Sequence, residues 1–312
     1  MSTMKAVRIH AYGGPEVLVY EDADVPSPGQ SEVLVRVQAA GVNPVDWKVR
    51  EGYLKNWLNH ALPLTLGWDF SGTVEAAGPG TERLKVGDEV MSRPDLARNG
   101  AYAQYIVVRE QEAALKPRSM DHIQAAGLSL AGLTAWQYLF DTAHLGPGQR
   151  VLIHGAAGGV GSLAVQLAKW KGLFVIGTAS ARNQDFIREL GVDQAIDYQA
   201  QPFEELAKDL DAVLDTMGGE TQERSWGLIK PGGYMLSTVS LPPEELTAAR
   251  GLRQGHFSVR PNAQELAEIA ELVDAGKLKV VVDKVLPLAE ARQAQQLSQA
   301  GHTRGKIVLK VN

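Results

Sequence analysis

Residues 151–161, VLIHGAAGGVG, constrain the fold of this chain more than any other stretch. An apolar run leads into four glycines within seven positions, and a helix-like run, SLAVQLAKWKG, follows at once. Glycine costs backbone entropy, so such a cluster needs a geometric reason. One reason is a tight, flexible turn. The other is a cradle in which backbone N–H groups and the positive end of a helix receive a phosphate. The order strand, glycines, helix fits the cradle, with the helix beginning near Gly159. Against the dinucleotide fingerprint, residues 156–161 give A-x-G-x-x-G, with Ala156 where the first glycine usually stands. A small residue there keeps the turn tight, although an ordinary strand–helix turn stays open as the alternative. The cofactor reading assigns Ala157, Gly158, Gly159, Val160 and Gly161 to the pyrophosphate.

The end of the following strand decides which nucleotide. Proteins that hold NAD place Asp or Glu there, on the ribose hydroxyls. Here the segment is GTASARNQDF (177–186), with no acid before Asp185. Thr178, Ala179, Ser180 and Arg182 occupy the stretch instead. A guanidinium with a hydroxyl suits a 2′-phosphate, which repels a carboxylate. The alternative for Arg182 is a surface charge opening a helix. Read together, the glycine loop and Arg182 point to NADPH.

A chain of 312 residues exceeds what one hydrophobic core usually serves, so two domains are expected. The first 120 residues carry short strand-like runs (32–42, 72–78, 87–92 and 101–108) between Pro and Gly signals. They predict a small, barrel-like β domain. From about residue 124 strands alternate with helices, with strands near 150–154, 173–177, 195–198, 212–215 and 233–237. Such alternation predicts a parallel, doubly wound sheet. A helix over 263–275 precedes β-rich segments at 278–288 and 305–311 that share the texture of the first domain. The domain limits are therefore 1–123 with 263–312, and 124–262.

The formal net charge is -5, without a run of like charge, which gives no support for nucleic-acid or membrane-surface binding. The absence of cysteine removes disulfides, thiolate nucleophiles and every Cys-containing zinc site. AAGLSLAGLTAWQYLF is too short to span a bilayer and reads as a buried helix. MSTMKAVRIH lacks a signal-peptide core, so a cytoplasmic protein is expected.

MKAVRIHAYGGPEVL, GVNPVDWKVREG, GWDFSGTVEAAG, LAGLTAW, VLIHGAAGGVG, LDTMGG and HTRGKIVL occur in one order along nearly all of the chain. In these motifs the sequence resembles the medium-chain dehydrogenase/reductases, specifically the zinc-independent quinone oxidoreductase branch with zeta-crystallin and the plant enone reductases. The resemblance implies an α/β fold: a GroES-like β-rich catalytic domain from both chain ends around a Rossmann domain. Zinc-dependent relatives carry their metal ligands where this chain has Asn43, Trp68 and Leu130, so no metal is expected. It also implies cofactor contacts from Thr134 and Phe257 near the nicotinamide, Tyr198 beside the adenine, and Lys306. Packing is the alternative for Tyr198, and a core position for Phe257.

Without a Lewis acid, reduction of a quinone or an α,β-unsaturated carbonyl is less demanding than alcohol oxidation. Hydride arrives from NADPH, charge collects on the carbonyl oxygen, and solvent supplies the proton. The segment GVNPVDWKVREGY offers Asn43 as an amide donor to that oxygen or to the nicotinamide ribose, with Lys48 and Tyr53 as further donors. Asp46 is a cofactor contact or a helix cap. Lys48 is otherwise a surface charge, and Tyr53 a wall residue. Two other functions remain: an enoyl thioester reductase of a biosynthetic pathway, and a non-catalytic NADPH-binding redox sensor. Family analogy further implies a homodimer through a Rossmann edge at 256–259.

Overall fold

The computed structural model describes residues 2–241, 243–255 and 259–312, so Phe257 and most of the expected dimer edge lie outside the described residues. The chain forms two compact units, Met1–Leu133 with Arg260–Asn312, and Thr134–Val259.

The N-terminal part of the first unit contributes β1 (Thr3–Ile9), β2 (Leu18–Asp24), β3 (Glu32–Val42), β4 (Leu64–Thr65), β5 (Phe70–Ala77), β6 (Glu89–Ser92), β7 (Tyr105–Arg109) and β8 (Ala113–Leu115). Its helices are α1 (Pro44–Arg50), α2 (His122–Ala126) and α3 (Ser129–Trp136), the last running into the second unit. β3 is the backbone of the unit. It pairs antiparallel with β7 along its first half and with β5 along most of its length, and its β-branched run is buried almost throughout. Leu66, Trp68, Phe70 and Tyr102 fill the core beside it, all fully buried. Each such side chain contributes roughly 1.5–3 kcal/mol on burial.

The second unit alternates β9 (Arg150–Ile153), α4 (Gly159–Trp170), β10 (Phe174–Ala179), α5 (Gln184–Glu189), β11 (Gln194–Asp197), α6 (Phe203–Leu206), β12 (Leu210–Asp215), α7 (Gly219–Ser225), β13 (Ile229–Ser237), α8 (Glu244–Ala249) and β14 (Arg253–Gln254). The strand order is β11-β10-β9-β12-β13-β14, and every pair is parallel. The chain steps outward from β9 on one side, then returns to β12 and steps outward on the other. Ligands of such sheets bind beyond the carboxyl ends of the strands at this reversal. Val151, Leu152 and Ile153 are fully buried, as expected of a strand covered on both faces.

The chain then returns to the first unit with α9 (Ala263–Asp274), β15 (Val282–Pro287), α10 (Ala291–Ala300) and β16 (Lys306–Lys310). β16 lies antiparallel to the end of β3 and extends its sheet. The second unit begins at Thr134, ten residues later than the 124 read from the sequence. The reason is packing: Ala126 of α2 is buried with Ala39 of β3 and Val308 of β16. Among the described residues, no helix is long and apolar enough to cross a membrane.

Candidate active site

The turn between β9 and α4 is shaped by two glycines in particular. Gly155 takes a left-handed conformation, φ +63°, which turns the chain out of the strand. Gly161 lies so close to this turn that a Cβ would stand 2.2 Å from the Gly155 carbonyl oxygen. Ala156, the departure from the fingerprint, is no obstacle: the sharp turn occurs one residue earlier, and its N–H donates to the Thr178 carbonyl at 3.0 Å. Ala157 is buried, while Gly158, Gly159 and Val160 are half-buried at the start of α4. The Gly158 N–H donates to the Gly155 carbonyl at 2.9 Å, while the first-turn N–H groups from Gly159 onward have no intrahelical acceptor and gather the positive end of the helix dipole.

His154, immediately before the turn, was not expected from the sequence. Its buried ring lies 2.9 Å from Ser225 Oγ and 3.0 Å from Thr178 Oγ1. The Ser225 hydroxyl donates to the Thr221 carbonyl, so Nε2 carries the ring proton and Nδ1 accepts from Thr178. Burial lowers its pKa to about 4, keeping the ring neutral. The Thr178 hydroxyl is thus bonded to His154 within the fold. Ala179 is buried as well. Ser180 is half-buried and Arg182 exposed beyond the strand end. The register sets Ala179 against Asp197, so Ser180 and half-exposed Tyr198 each follow directly on the ends of neighbouring strands.

Asp215, at the carboxyl end of β12, also escaped sequence analysis. Its Oδ1 accepts from the N–H groups of Met217 and Gly218 at 2.8 and 2.9 Å. Its Oδ2 accepts from Gln222 Nε2 at 2.9 Å and Ser237 Oγ at 2.8 Å. One carboxylate thus joins the β12–α7 loop, α7 and the end of β13 beside the glycine turn. The signal was present in the sequence, an acid closing the apolar run AVLD.

In the first unit, Asn43 precedes α1 and is buried. Its backbone N–H donates to Asp46 Oδ2 at 2.8 Å, and its Nδ2 to Asp69 Oδ2 at 3.2 Å. Its Oδ1 accepts from Lys306 Nζ, which also reaches Asp69 Oδ2 at 3.2 Å. Asp69 Oδ1 accepts from the Leu130 N–H at 3.2 Å. Gly41 permits this arrangement, since a Cβ there would stand 2.8 Å from Asp69 Oδ2. Tyr102 donates its hydroxyl to Asp46 Oδ2 at 2.8 Å. Asp46 is therefore a helix cap buried under α1, not a solvent-facing cofactor contact. Burial raises its pKa to about 7, against the opposing hydrogen bonds from Asn43 and Tyr102. Burial also raises Asp69, opposed chiefly by the Lys306 charge, and lifts Tyr102 well above the usual phenol range.

The structure brings Asn43, Asp46 and Lys306 together and adds Asp69 and Tyr102, which the sequence did not single out. Lys48 and Tyr53 are not part of this hydrogen-bonded cluster. The Lys48 ammonium lies 5.7 Å from the Trp47 ring centroid, with its pKa lowered by burial. Tyr53 is mostly exposed, its ring edge-on to Trp47 at 6.0 Å. Thr134 is buried on α3. Of the three positions discussed for zinc, Asn43 and Leu130 bond to Asp69, while Trp68 donates its indole N–H to the Arg98 carbonyl at 3.0 Å. Among the described residues, no group of three or more His, Cys, Asp or Glu side chains is placed to hold a metal.

Residues 29–118 match the family model of the alcohol dehydrogenase GroES-like domain, and residues 190–309 that of a zinc-binding dehydrogenase. The chain is 37% identical to the NADPH-dependent alkenal/one oxidoreductase, chloroplastic, of Arabidopsis thaliana, covering 98% of this chain and 79% of the relative. It is 32% identical to the quinone-oxidoreductase homolog, chloroplastic, of Spinacia oleracea, with 98% of each covered. The quinone oxidoreductase structure from Coxiella burnetii superposes with a TM-score of 0.91 at 36% identity, over 100% of both chains.

Proposed function

The chain belongs to the medium-chain dehydrogenase/reductases, among their quinone and alkenal/one oxidoreductases; on that premise we propose that it reduces a quinone or an α,β-unsaturated carbonyl with NADPH, without zinc. Bound NADPH supplies the hydride. The chain's own residues hold and orient. The first turn of α4 receives the pyrophosphate, Ser180 and Arg182 the 2′-phosphate, and Tyr198 flanks the adenine. Asn43 keeps one amide N–H after its bond to Asp69, and offers it to the oxygen on which negative charge collects. Lys306 holds the other end of that amide, so the donor is fixed before substrate arrives.

The observation that carries this reading is the β10 end, where Ser180 and Arg182 follow the glycine turn and no acid precedes Asp185. For zinc, the supporting residues are Asn43, Trp68 and Leu130, together with a chain free of cysteine. The cytoplasmic setting and the homodimer belong to the same proposal. The test is to mix the protein with NADPH or NADH and a panel of quinones, alkenals, enoyl thioesters and simple alcohols, following cofactor absorbance. Turnover of quinones or alkenals with NADPH well ahead of NADH is expected. Zinc-dependent alcohol oxidation with NAD would overturn the proposal.

A further inference from the structure

The buried cluster under α1 holds two carboxyl groups, Asp46 and Asp69, and one ammonium, Lys306, which is hydrogen-bonded to Asp69 and Asn43. Lys306 balances Asp69, which it touches directly, and Asp69 has donors on both oxygens. Asp46 differs. Its Oδ2 accepts from the Asn43 N–H and the Tyr102 hydroxyl, while its Oδ1 is buried with no hydrogen-bond partner. Its residue is fully buried. A bare, ionised carboxylate oxygen in such a place is strongly disfavoured. The groups facing Asp46 are Tyr102, Lys306 from β16 and Asp69 from the segment before β5. On α1 itself Arg50 is engaged by Glu51 and by Gln295 of α10, and Lys48 sits over Trp47.

We propose that Asp46 works as the carboxylic acid, its proton on Oδ1, and that in this form it is the positioning residue that keeps the Asn43–Lys306–Asp69 cluster electrically neutral. Loss of the proton leaves one net negative charge in a water-poor site, beside the amide that faces the developing oxyanion. That charge opposes the one the reaction builds, so turnover falls as the proton leaves. Burial places the loss at about pH 7. The effect on rate rests on the functional reading above; the protonation state of Asp46 does not.

Two measurements on the full chain keep the two readings separable. In infrared difference spectra of the protein without substrate, the carbonyl stretch of a protonated carboxyl is expected at pH 6. It should fade by pH 9 and be missing from Asp46→Asn. In turnover with NADPH and a quinone, wild-type kcat/KM is expected to fall about tenfold per pH unit above the titration. Asp46→Asn, normalised to its own maximum, should lose that alkaline limb. Tyr102→Phe removes a donor from the carboxylate form without changing the ring, so it should move both the band and the limb to higher pH. This variant also serves if Asp46→Asn fails to fold. A carboxyl band that persists in Asp46→Asn, an unchanged limb in that variant, or a downward shift in Tyr102→Phe would overturn the proposal. A protein without reductase activity that still shows the titrating band supports the charge assignment and sinks the functional reading instead.

Discussion

In the proposed function Arg182 bears the cofactor preference. A charge-assisted bond from its guanidinium to a 2′-phosphate contributes roughly 1.5–3 kcal/mol. Arg182→Ala is expected to raise the Kd for NADPH about ten- to a hundredfold, and to leave NADH nearly unchanged. Titrating both nucleotides by fluorescence checks this, since a folding defect would weaken both together. Gly161 supplies the contrasting case. A methyl group there meets the Gly155 carbonyl at 2.2 Å, backbone against backbone, and neither side can yield cheaply. Gly161→Ala should therefore abolish binding of both nucleotides while circular dichroism shows the second unit still folded. Equal, modest losses in the two variants would mean that the turn does not hold the pyrophosphate.

Among the elements, β3 and β9 were legible as continuous apolar, β-branched runs, and α4 and α9 as apolar residues recurring with a helix period. α9 is also announced by Asn262, whose side chain accepts from the N–H groups of Gln264 and Glu265. α10 was missed: ARQAQQLSQA is nearly polar, and only Ala291, Ala294 and Gln295 are buried. The run AAGLSLAGLTAWQYLF read as one buried helix but breaks between Ala126 and Ser129, where the chain starts α3. At the site, the glycine turn is local and could be read; the partners are not. Tyr102 lies 56 residues from Asp46 and Lys306 lies 263 from Asn43, separations that no periodicity encodes. Asp215 is the same kind of residue, joining elements through four hydrogen bonds. Asp215→Ala removes all four and leaves their donors unmet, at roughly 1–3 kcal/mol for each donor that water cannot reach. Thermal unfolding should move down by several degrees, more than for Glu204→Ala, whose partner Arg224 is partly exposed.

For the whole molecule, two buried groups make the units respond oppositely to pH. His154, with its folded pKa lowered to about 4 from 6.5, leaves stability intact above pH 6.5. As pH falls below that, the unfolded chain gains a proton that the folded one refuses, and the second unit weakens by about 1.4 kcal/mol per pH unit. Asp46, raised from 3.8 to about 7, has no such cost below pH 3.8. As pH rises from there to about 7, the unfolded chain releases a proton that the folded one keeps, and the first unit weakens at a similar rate. Hydrogen exchange should show protection of β9 and β10 decreasing from pH 6.5 towards 4, while that of β3 and α1 increases. Parallel changes in the two units would contradict the assignment. Elemental analysis is expected to find far less than one zinc per chain, and a chelator to leave turnover unchanged. The first unit is assembled from both chain ends, which sets a schedule for synthesis. Asn43, Asp46 and Asp69 leave the ribosome early and wait through the entire second unit for Lys306. Until that ammonium arrives, Asp69 lacks the cation that touches it directly. A chain released before residue 306 would carry a finished nucleotide fold attached to an unfinished catalytic one, recognisable to quality control by its exposed, still-hydrated acids.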